Sequence, residues 1–252
     1  MKKLKLSAPD WCFFPENAKP ETYYAELKKL GYDAVEMADQ SRWPIIRNLG
    51  LEIINLSGPG MTKGLNRMEN HAELLPQIKD NIVLAGKNKI PNVIIFSGNR
   101  EGQKDAEGID NCLKGISELL PVAKANNVVL LFEMLCAHNH PDYQADKSAY
   151  GFEIVKRAKS PNIKVLYDIY HMERMNCDSI KDITKNLQMV GHIHIAESPK
   201  RDIPLRDGEI KYGKIVPAIV KAGYEGYWGM EFFPTDNMKD LKAAAELFNS
   251  FA

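Results

Sequence analysis

Short apolar runs typical of buried strands alternate with segments of helical period about eight times along the 252 residues. This alternation is typical of a parallel sheet built from βαβ units. Eight such units in roughly 250 residues is the usual size of a closed (β/α)8 barrel. The strand-like runs lie near residues 3–7, 33–37, 51–56, 92–97, 128–133, 163–168, 190–195 and 227–232. The sequence therefore predicts an α/β fold, a (β/α)8 TIM barrel, with residues 1–252 forming a single domain.

Residues typical of helix ends support this alternation. Pro20 stands where a first helical residue is expected, and a glycine that leads directly into a strand follows three of the helical segments. These glycines are Gly31, Gly50 and Gly223. The two longest connections, residues 134–147 and 196–211, follow predicted strands, and long loops cluster at functional faces.

Apolar residues at spacings of three and four predict one buried face on each of two helices. The predicted faces are Leu113, Ile116, Leu120 and Ala123 on the fourth helical segment, and Leu241, Ala244, Ala245 and Phe248 on the last.

A doubly wound open sheet is the competing architecture, because periodicity alone does not exclude it. Against it, the first predicted strand is followed by P-D-W-C-F-F-P and not by the glycine-rich turn G-x-G-x-x-G, and the chain contains no P-loop motif. In a TIM barrel, functional residues come from the carboxyl ends of several strands. The positions of the candidate site residues therefore favour the barrel.

Composition limits the function classes. The chain carries 33 basic and 33 acidic residues, so its formal charge gives no electrostatic footprint for nucleic acid or for an anionic membrane. Its four cysteines are scattered and form no C-x-x-C pair, which favours reduced thiols in a cytoplasmic protein. The N-terminal residues lack the apolar stretch of a signal peptide, and no apolar run is long enough to span a membrane.

Four predicted strands in the second half of the chain end on residues that can bind a metal: Glu133, Asp168, His194 and Glu231. An unpaired charge at the edge of an apolar core is costly, so stability alone does not explain these strand ends. If the strands are parallel neighbours, their tips lie side by side. The pattern predicts one divalent cation bound by all four, with Mg²⁺, Mn²⁺ or Co²⁺ suiting this oxygen-rich set better than Zn²⁺.

The seventh predicted strand carries two histidines of the same parity. His194 lies level with the strand tip and is the predicted ligand, whereas the deeper His192 suits a group that orients a ligand or fills a polar layer. Glu36 shares the strand-end pattern, and we expect it to bind substrate hydroxyls or a neighbouring arginine and not the metal. His138 and His140 are interpreted as loop residues near the mouth of the barrel.

Four longer motifs stand out along the second half of the chain: Y-D-I-Y-H-M around Asp168, G-H-I-H-I-A-E-S-P-K-R, G-E-I-K-Y and the closing G-Y-E-G-Y-W-G-M-E-F-F-P. Together they resemble hydroxypyruvate isomerase and its relatives among the xylose-isomerase-like barrels. The resemblance implies one metal held at the ends of strands five to eight by the same four residues that the strand ends predict. It also implies that His171, three residues after the aspartate, contacts substrate oxygens.

The resemblance implies a metal-dependent isomerase of a small hydroxy-keto acid, of the aldose–ketose intramolecular oxidoreductase class. The reaction would convert hydroxypyruvate to tartronate semialdehyde by proton transfer through a metal-bound enediolate, with Glu133 and Glu231 as the catalytic residues. A substrate carboxylate needs a cation, and Arg100, Lys200 and Arg201 are the predicted groups. For each of these three, ordinary solvated surface is the alternative.

Other functions stay open. A ketose 3-epimerase, or another sugar isomerase or epimerase, would use the same site, and a histidine at position 194 is what ketose 3-epimerases have. An abasic-site endonuclease with three zinc ions is set aside, because the early strands end in L-S-G-P-G and F-S-G-N-R without the histidines that class needs. A noncatalytic metabolite-binding relative is disfavoured by the intact ligand quartet. Barrels of this family often associate, so a homo-oligomer is an open expectation.

Overall fold

The computed structural model describes residues 3–251. In chain order the elements are β1 (Lys5–Pro9), α1 (Asp10–Phe13), α2 (Pro20–Lys29), β2 (Ala34–Glu36), α3 (Trp43–Asn48), β3 (Glu52–Ile53), β4 (Asn55–Ser57), α4 (Met68–Lys87), β5 (Asn92–Phe96), α5 (Asp105–Ala125), β6 (Val129–Glu133), α6 (Ser148–Ala158), β7 (Ile163–Asp168), α7 (Ile169–Arg174), α8 (Ser179–Lys185), β8 (Val190–Ile195), α9 (Tyr212–Lys221), β9 (Tyr227–Met230) and α10 (Asn237–Asn249). Short 3-10 helices lie at Gln40–Arg42 and Leu187–Met189.

Two compact units divide the described residues: residues 3–54 with 192–251, and residues 55–191. The predicted domain bounds at residues 1 and 252 lie outside the described residues. The single-domain prediction stays a prediction.

The first unit contains parallel strands in the order β3-β2-β1-β9-β8, with residues 192–195 of β8 belonging to it. The register pairs Pro9 with Glu36, and it pairs Gly229 both with Ser7 and with His194. Parallel register brings the carboxyl ends of these strands to one edge. Glu36 and His194 therefore reach the same edge although about 160 residues separate them in the chain.

The second unit contains parallel strands in the order β7-β6-β5-β4. Its register pairs Glu133 with Phe96 on one side and with Leu166 on the other. Asp168, the last residue of β7, lies two residues after Leu166, the partner of Glu133 in the register. Both acidic residues therefore lie at the carboxyl edge of this unit's strands, as the sequence predicts.

The predicted strands are confirmed with changes at three places. The first lies two residues later than predicted, at Lys5–Pro9, and the run 51–56 divides into β3 and β4. The division has a simple cause: β3 pairs with β2, whereas β4 pairs with β5, so the chain changes partner at Ile54. The last strand ends at Met230, and Glu231 follows it.

The helix ends follow the sequence signals closely. Pro20 is the first residue of α2, and the three predicted glycines adopt φ values of +93° at Gly31, +73° at Gly50 and +99° at Gly223. These left-handed conformations strain any residue that has a Cβ atom. Among residues 3–251, no helix combines the length and apolar character that crossing a bilayer requires.

One of the two predicted helix faces is partly wrong. In α5 the buried side chains on this stretch are Cys112, Ile116, Leu119 and Ala123, whereas Leu113 and Leu120 are half-buried. At two positions the buried residue is the one directly before the predicted residue: Cys112 takes the place of Leu113, and Leu119 that of Leu120. The thiol of Cys112 packs there as a small apolar group. The predicted face of α10 is confirmed, with Leu241, Ala244, Ala245 and Phe248 buried.

Candidate active site

A group of acidic and imidazole side chains lies at the strand ends of the first unit. Glu36 Oε2 lies 3.0 Å from His192 Nε2 and 2.9 Å from His194 Nε2. The Ser7 hydroxyl donates to the other oxygen, Glu36 Oε1, at 2.6 Å. We call these residues, together with Glu231 and Arg201, the Glu36 cluster. A histidine that binds a metal through one ring nitrogen often donates the hydrogen of its other ring nitrogen to a carboxylate, which fixes the orientation of the ring.

The two histidines of the cluster favour the ionised form of Glu36. Burial raises the pKa of this carboxyl, but His192 and His194 outweigh burial and hold the pKa well below its usual value. The strand β9 leaves room for the group because residue 229 is glycine. A Cβ atom there would lie 2.7 Å from His194 Cδ2, 2.9 Å from His192 Nε2 and closer still to Glu36 Oε1.

Glu231, directly after β9, contacts His194 from the other side. Glu231 Oε2 lies 3.1 Å from His194 Nδ1 and forms an ion pair with Arg201 Nη2. Burial raises the pKa of Glu231, but His194 and Arg201 together lower it from 4.5 to about 2. Each nitrogen of the His194 ring therefore faces a carboxylate, Glu36 at Nε2 and Glu231 at Nδ1.

Arg201 is almost buried, with 8% of its surface exposed. Its guanidinium lies 5.4 Å from the ring centre of Trp11 and 5.8 Å from that of Phe233, both of which are half exposed. Its Nε also donates to the Glu231 carbonyl at 3.3 Å. The aromatic rings hold the guanidinium in place by cation–π attraction. Lys200, the neighbouring candidate, is exposed on the surface.

Glu133 and Asp168 come together in the second unit. Each offers a carboxylate oxygen within 4.8 Å of the other, and both side chains are buried. Asp168 Oδ1 accepts a hydrogen bond from the backbone N–H of His171 at 3.2 Å, which makes it the N-cap of α7. The Tyr143 hydroxyl donates to the Glu133 carbonyl at 2.9 Å and fixes the end of β6.

His171 lies beside this carboxylate pair. Its Nε2 is 3.6 Å from Asp168 Oδ2, and its Nδ1 is 3.1 Å from Cys136 Sγ. We call Glu133, Asp168, His171, Cys136 and Asn139 the His171 cluster. The His140 ring packs at 5.4 Å from the His171 ring, whereas His138 is exposed.

Arg100, the third predicted carboxylate-binding residue, is engaged within the second unit. Its guanidinium pairs with Asp105, lies 3.6 Å from Asp146 and donates to the Gln144 carbonyl at 3.2 Å. Two carboxylates therefore compete for this guanidinium, and its predicted contact with substrate stays a prediction.

The donor atoms of both clusters fit a divalent cation. Glu36, His192 and His194 offer ligand atoms within 4.8 Å of one another in the first unit, as do His194 and Glu231. Within the second unit, Glu133 and Asp168 offer carboxylate oxygens within 4.8 Å of each other. This donor chemistry suits hard or borderline divalent ions.

The chain belongs to the xylose isomerase-like TIM barrel family, whose sequence profile matches residues 24–251. The predicted fold class is confirmed by this match. A solved structure of an AP endonuclease, family 2, from Brucella melitensis agrees with it, with a TM-score of 0.82 and 20% identity over 96% of this chain and 98% of that chain.

Curated relatives confirm the resemblance inferred from the motifs. The human putative hydroxypyruvate isomerase is 29% identical over 256 residues, which cover 93% of this chain and 91% of the human protein. The Escherichia coli hydroxypyruvate isomerase is 30% identical over 108 residues, or 43% of this chain. Aligned regions span under half the length of several curated relatives, 42% for E. coli and 44% for Xenopus laevis.

Two further solved structures share the fold. The D-psicose 3-epimerase of Clostridium cellulolyticum H10, determined with D-tagatose, has a TM-score of 0.79 and 17% identity over 98% of this chain and 99% of that chain. The IOLI protein, determined with a zinc atom, has a TM-score of 0.78 and 16% identity over 98% of this chain and 96% of that chain.

Sequence reasoning missed two side chains of the clusters. The predicted contact of Glu36 with substrate hydroxyls or an arginine stays a prediction, and the structure adds contacts of its carboxylate with His192 and His194. Its strand-end position was the signal that could have placed it with the other acids. Cys136 gave no such signal, because it lies in the irregular loop after β6 and its contact with His171 depends on the first turn of α7.

Proposed function

We propose that the protein is a metal-dependent isomerase that converts hydroxypyruvate to tartronate semialdehyde. Glu133, Asp168, His194 and Glu231 would hold one divalent cation, with Mg²⁺, Mn²⁺ or Co²⁺ preferred to Zn²⁺. The observation that carries the proposal is that these buried ligands come in two pairs at strand ends, each pair with donor atoms within 4.8 Å. In the TIM barrel family the carboxyl ends of all strands form one functional face.

When bound, the cation would supply a Lewis acid that stabilises negative charge on the substrate oxygens. The chain's own residues would move the protons. One of the two glutamates, Glu133 or Glu231, would remove a proton from the hydroxymethyl carbon, and the other, or the same one, would deliver a proton to the neighbouring carbonyl carbon. The hydroxyl hydrogen passes from the first oxygen to the second. Atoms and electrons balance, since an aldehyde replaces the alcohol and a secondary alcohol replaces the ketone.

Arg201 would bind the substrate carboxylate. A planar guanidinium binds a carboxylate with two parallel hydrogen bonds, and Trp11 and Phe233 hold this one in a nearly buried position. In this structure its guanidinium pairs with Glu231. If Glu231 turns to a cation, Arg201 becomes available to the incoming anion.

A direct test measures turnover of hydroxypyruvate and of a panel of uncharged ketoses, after chelation and after addition of Mn²⁺. We expect Mn²⁺-dependent isomerisation of hydroxypyruvate. The Arg201→Met variant should raise KM for hydroxypyruvate by roughly tenfold to a hundredfold, as expected for a lost charged hydrogen bond. The Arg157→Met variant is the matched control, because Arg157, on the surface of α6, pairs with Asp110 of α5.

The alternative is a ketose 3-epimerase, favoured by the histidine at position 194. Turnover of ketoses alone, with an Arg201→Met variant as active as the parent, would replace the keto-acid proposal by this one. Absence of a bound divalent ion and of any Mn²⁺-dependent turnover would leave a noncatalytic metabolite binder.

We propose a cytoplasmic location, because Cys12, Cys112, Cys136 and Cys177 are all free thiols. The partner would be a small hydroxy-keto acid or ketose, and neither nucleic acid nor a membrane. The homo-oligomer stays a prediction, which the mass in solution would test.

A further inference from the structure

One buried carboxylate in the first unit holds residues 198–210, the part of the connection between β8 and α9 that we call the Glu197 loop. Glu197 is 3% exposed, and its two carboxylate oxygens accept hydrogen bonds from three backbone N–H groups. Oε1 accepts from Ser198 at 3.0 Å and from Ile210 at 3.0 Å, and Oε2 accepts from Leu205 at 3.2 Å. The donors therefore lie at the beginning, in the middle and at the end of the loop.

The backbone of Glu197 closes the turn that carries Arg201. Its N–H donates to the Asp202 carbonyl at 2.9 Å, so the chain folds back on Glu197 directly after Arg201. Arg201 has a φ of +58°, a left-handed conformation that costs free energy for a residue with a Cβ atom and persists only where the surrounding structure holds it. Its carbonyl accepts from the Phe233 N–H at 2.7 Å. The position of the guanidinium therefore depends on the contacts that hold this turn.

The loop encloses the carboxylate so closely that residue 208 has no room for a side chain. A Cβ atom on Gly208 would lie 2.5 Å from Glu197 Cδ and 2.9 Å from Glu197 Oε1. These distances are far inside ordinary van der Waals contact, so the carboxylate or the loop would have to move. A substitution at position 208 would therefore disturb the contacts of the carboxylate without removing it.

We propose that Glu197 is a positioning residue that fixes the Glu197 loop and so presents Arg201 to the substrate carboxylate. The last step rests on the proposed function, in which Arg201 binds that carboxylate. An ionised carboxylate only accepts hydrogen bonds, and the three N–H groups are divided between its two oxygens. An amide would place an NH2 group, which only donates, in the position of one oxygen. Whichever way the amide is turned, at least one N–H group loses its acceptor.

The Glu197→Gln variant tests this role by steady-state kinetics of the Mn²⁺-loaded full chain. We expect KM for hydroxypyruvate to rise roughly tenfold, as for a weakened hydrogen bond to a charged group, with kcat close to that of the parent. The reason for the split is that Glu133 and Glu231 lie at strand ends outside the loop. Asp207→Asn is the matched control, because Asp207 is an exposed carboxylate of the same loop. An unchanged KM in Glu197→Gln, with or without a loss of kcat, overturns the proposal.

A second measurement follows the loop without turnover. Hydrogen–deuterium exchange of the full chain with Mg²⁺, read by NMR at the amides of Leu205 and Ile210, reports whether these N–H groups keep their acceptors. We expect exchange at one or both to be roughly tenfold faster in Glu197→Gln, and to match the parent in Asp207→Asn. Unchanged exchange at both amides in Glu197→Gln overturns the proposal.

Gly208→Ala tests the same contacts with the carboxylate still present. We expect it to raise KM for hydroxypyruvate and to speed amide exchange in the loop, because the new methyl group displaces the carboxylate. If Glu197→Gln does not fold, Gly208→Ala decides by the same two readings. An unchanged KM together with unchanged exchange would then overturn the proposal.

The two proposals fail separately. Faster loop exchange in Glu197→Gln, in a protein whose parent does not isomerise hydroxypyruvate, contradicts the proposed function and leaves the role of Glu197 in holding the loop. Mn²⁺-dependent turnover with a KM that rises in Arg201→Met but not in Glu197→Gln does the reverse.

Discussion

The Glu36 cluster and the His171 cluster hold buried polar side chains by different means. In the Glu36 cluster, charged groups from β2, β8, the end of β9 and the loop after β8 contact one another, so their contacts join distant parts of the chain. In the His171 cluster, a backbone amide, a thiol and an asparagine within residues 133–171 hold the ring and the aspartate.

This difference shows which property each cluster depends on. A buried charge is costly unless its partner stays in place, so the Glu36 cluster depends on ionisation and on the pairing of strands. Neutral hydrogen bonds tolerate a change of pH better but need each hydrogen on the correct atom. Changes of charge should therefore perturb the first cluster most, and changes of hydrogen-bond donor or acceptor the second.

Replacing one glutamate in each cluster should have the largest effect. Glu133→Gln and Glu231→Gln keep the shape of the side chain but remove the base, so each should lower kcat by roughly 10²- to 10⁴-fold. Glu231→Gln should also lower the free energy of unfolding, because Arg201 loses its charged partner. Steady-state kinetics and urea unfolding measure both effects.

Glu246→Gln on α10 is the control, since the exposed Glu246 side chain pairs with Lys242 one turn away on the same helix. Near-normal kcat in either glutamate variant would end the two-glutamate mechanism. Equal loss of stability in both would contradict the contrast between the clusters.

The His171→Asn variant tests the His171 cluster. We expect a higher KM and a lower kcat, together a loss of roughly ten- to a hundredfold in kcat/KM, because the ring contacts substrate without binding the cation. Mn²⁺ affinity, measured by calorimetry, should stay unchanged. Loss of Mn²⁺ binding would instead make His171 a ligand.

The contribution of the Glu36 cluster to the free energy of unfolding should decrease as the pH falls below about 5. The pKa values of Glu36 and Glu231 are lowered in the folded state, so their stabilisation is complete above the ordinary pKa of 4.5 and is lost as the pH falls towards the folded values, about 2 for Glu231. The chelator-treated parent should therefore lose unfolding free energy between about pH 5 and pH 2 more steeply than Glu36→Gln does.

Urea unfolding at several pH values gives both slopes, and Glu246→Gln should follow the parent. Parallel curves for the parent and Glu36→Gln would mean that the charge on Glu36 contributes little to folding.

The smallest effect is expected at Lys200. This side chain is exposed, whereas Arg201 beside it is almost buried between two aromatic rings. Lys200→Ala should therefore change kcat/KM for hydroxypyruvate by less than about twofold, as for an exposed charge. A rise in KM comparable to that of Arg201→Met would show that the loop presents both cations to the substrate.

The sequence predicts well the features that follow from local pattern. The carboxyl ends of β6, β7 and β8 at residues 133, 168 and 195 match the ends of their apolar runs. Pairing between distant strands is harder, because Glu36 ends a strand of only three residues and its histidine partners lie 156 and 158 residues further along. Nothing near Glu36 in the chain distinguishes a contact with imidazole from one with substrate.

The face of α5 illustrates a second limit. Leu113 and Leu120 have the hydrophobicity of core residues, yet Cys112 and Leu119 take the fully buried positions. Which of two adjacent apolar stripes faces the strands depends on the shapes of the surrounding side chains, and helical period does not contain that information.

Gly229 restricts how the Glu36 cluster could be redesigned. The space above its Cα is filled by the carboxylate of Glu36 and by two imidazole rings, so even a methyl group would displace at least one of them. Anyone wishing to retune this centre would have to vary position 7, position 36 or the loop carrying Arg201, since β9 at that level has room for nothing larger than hydrogen.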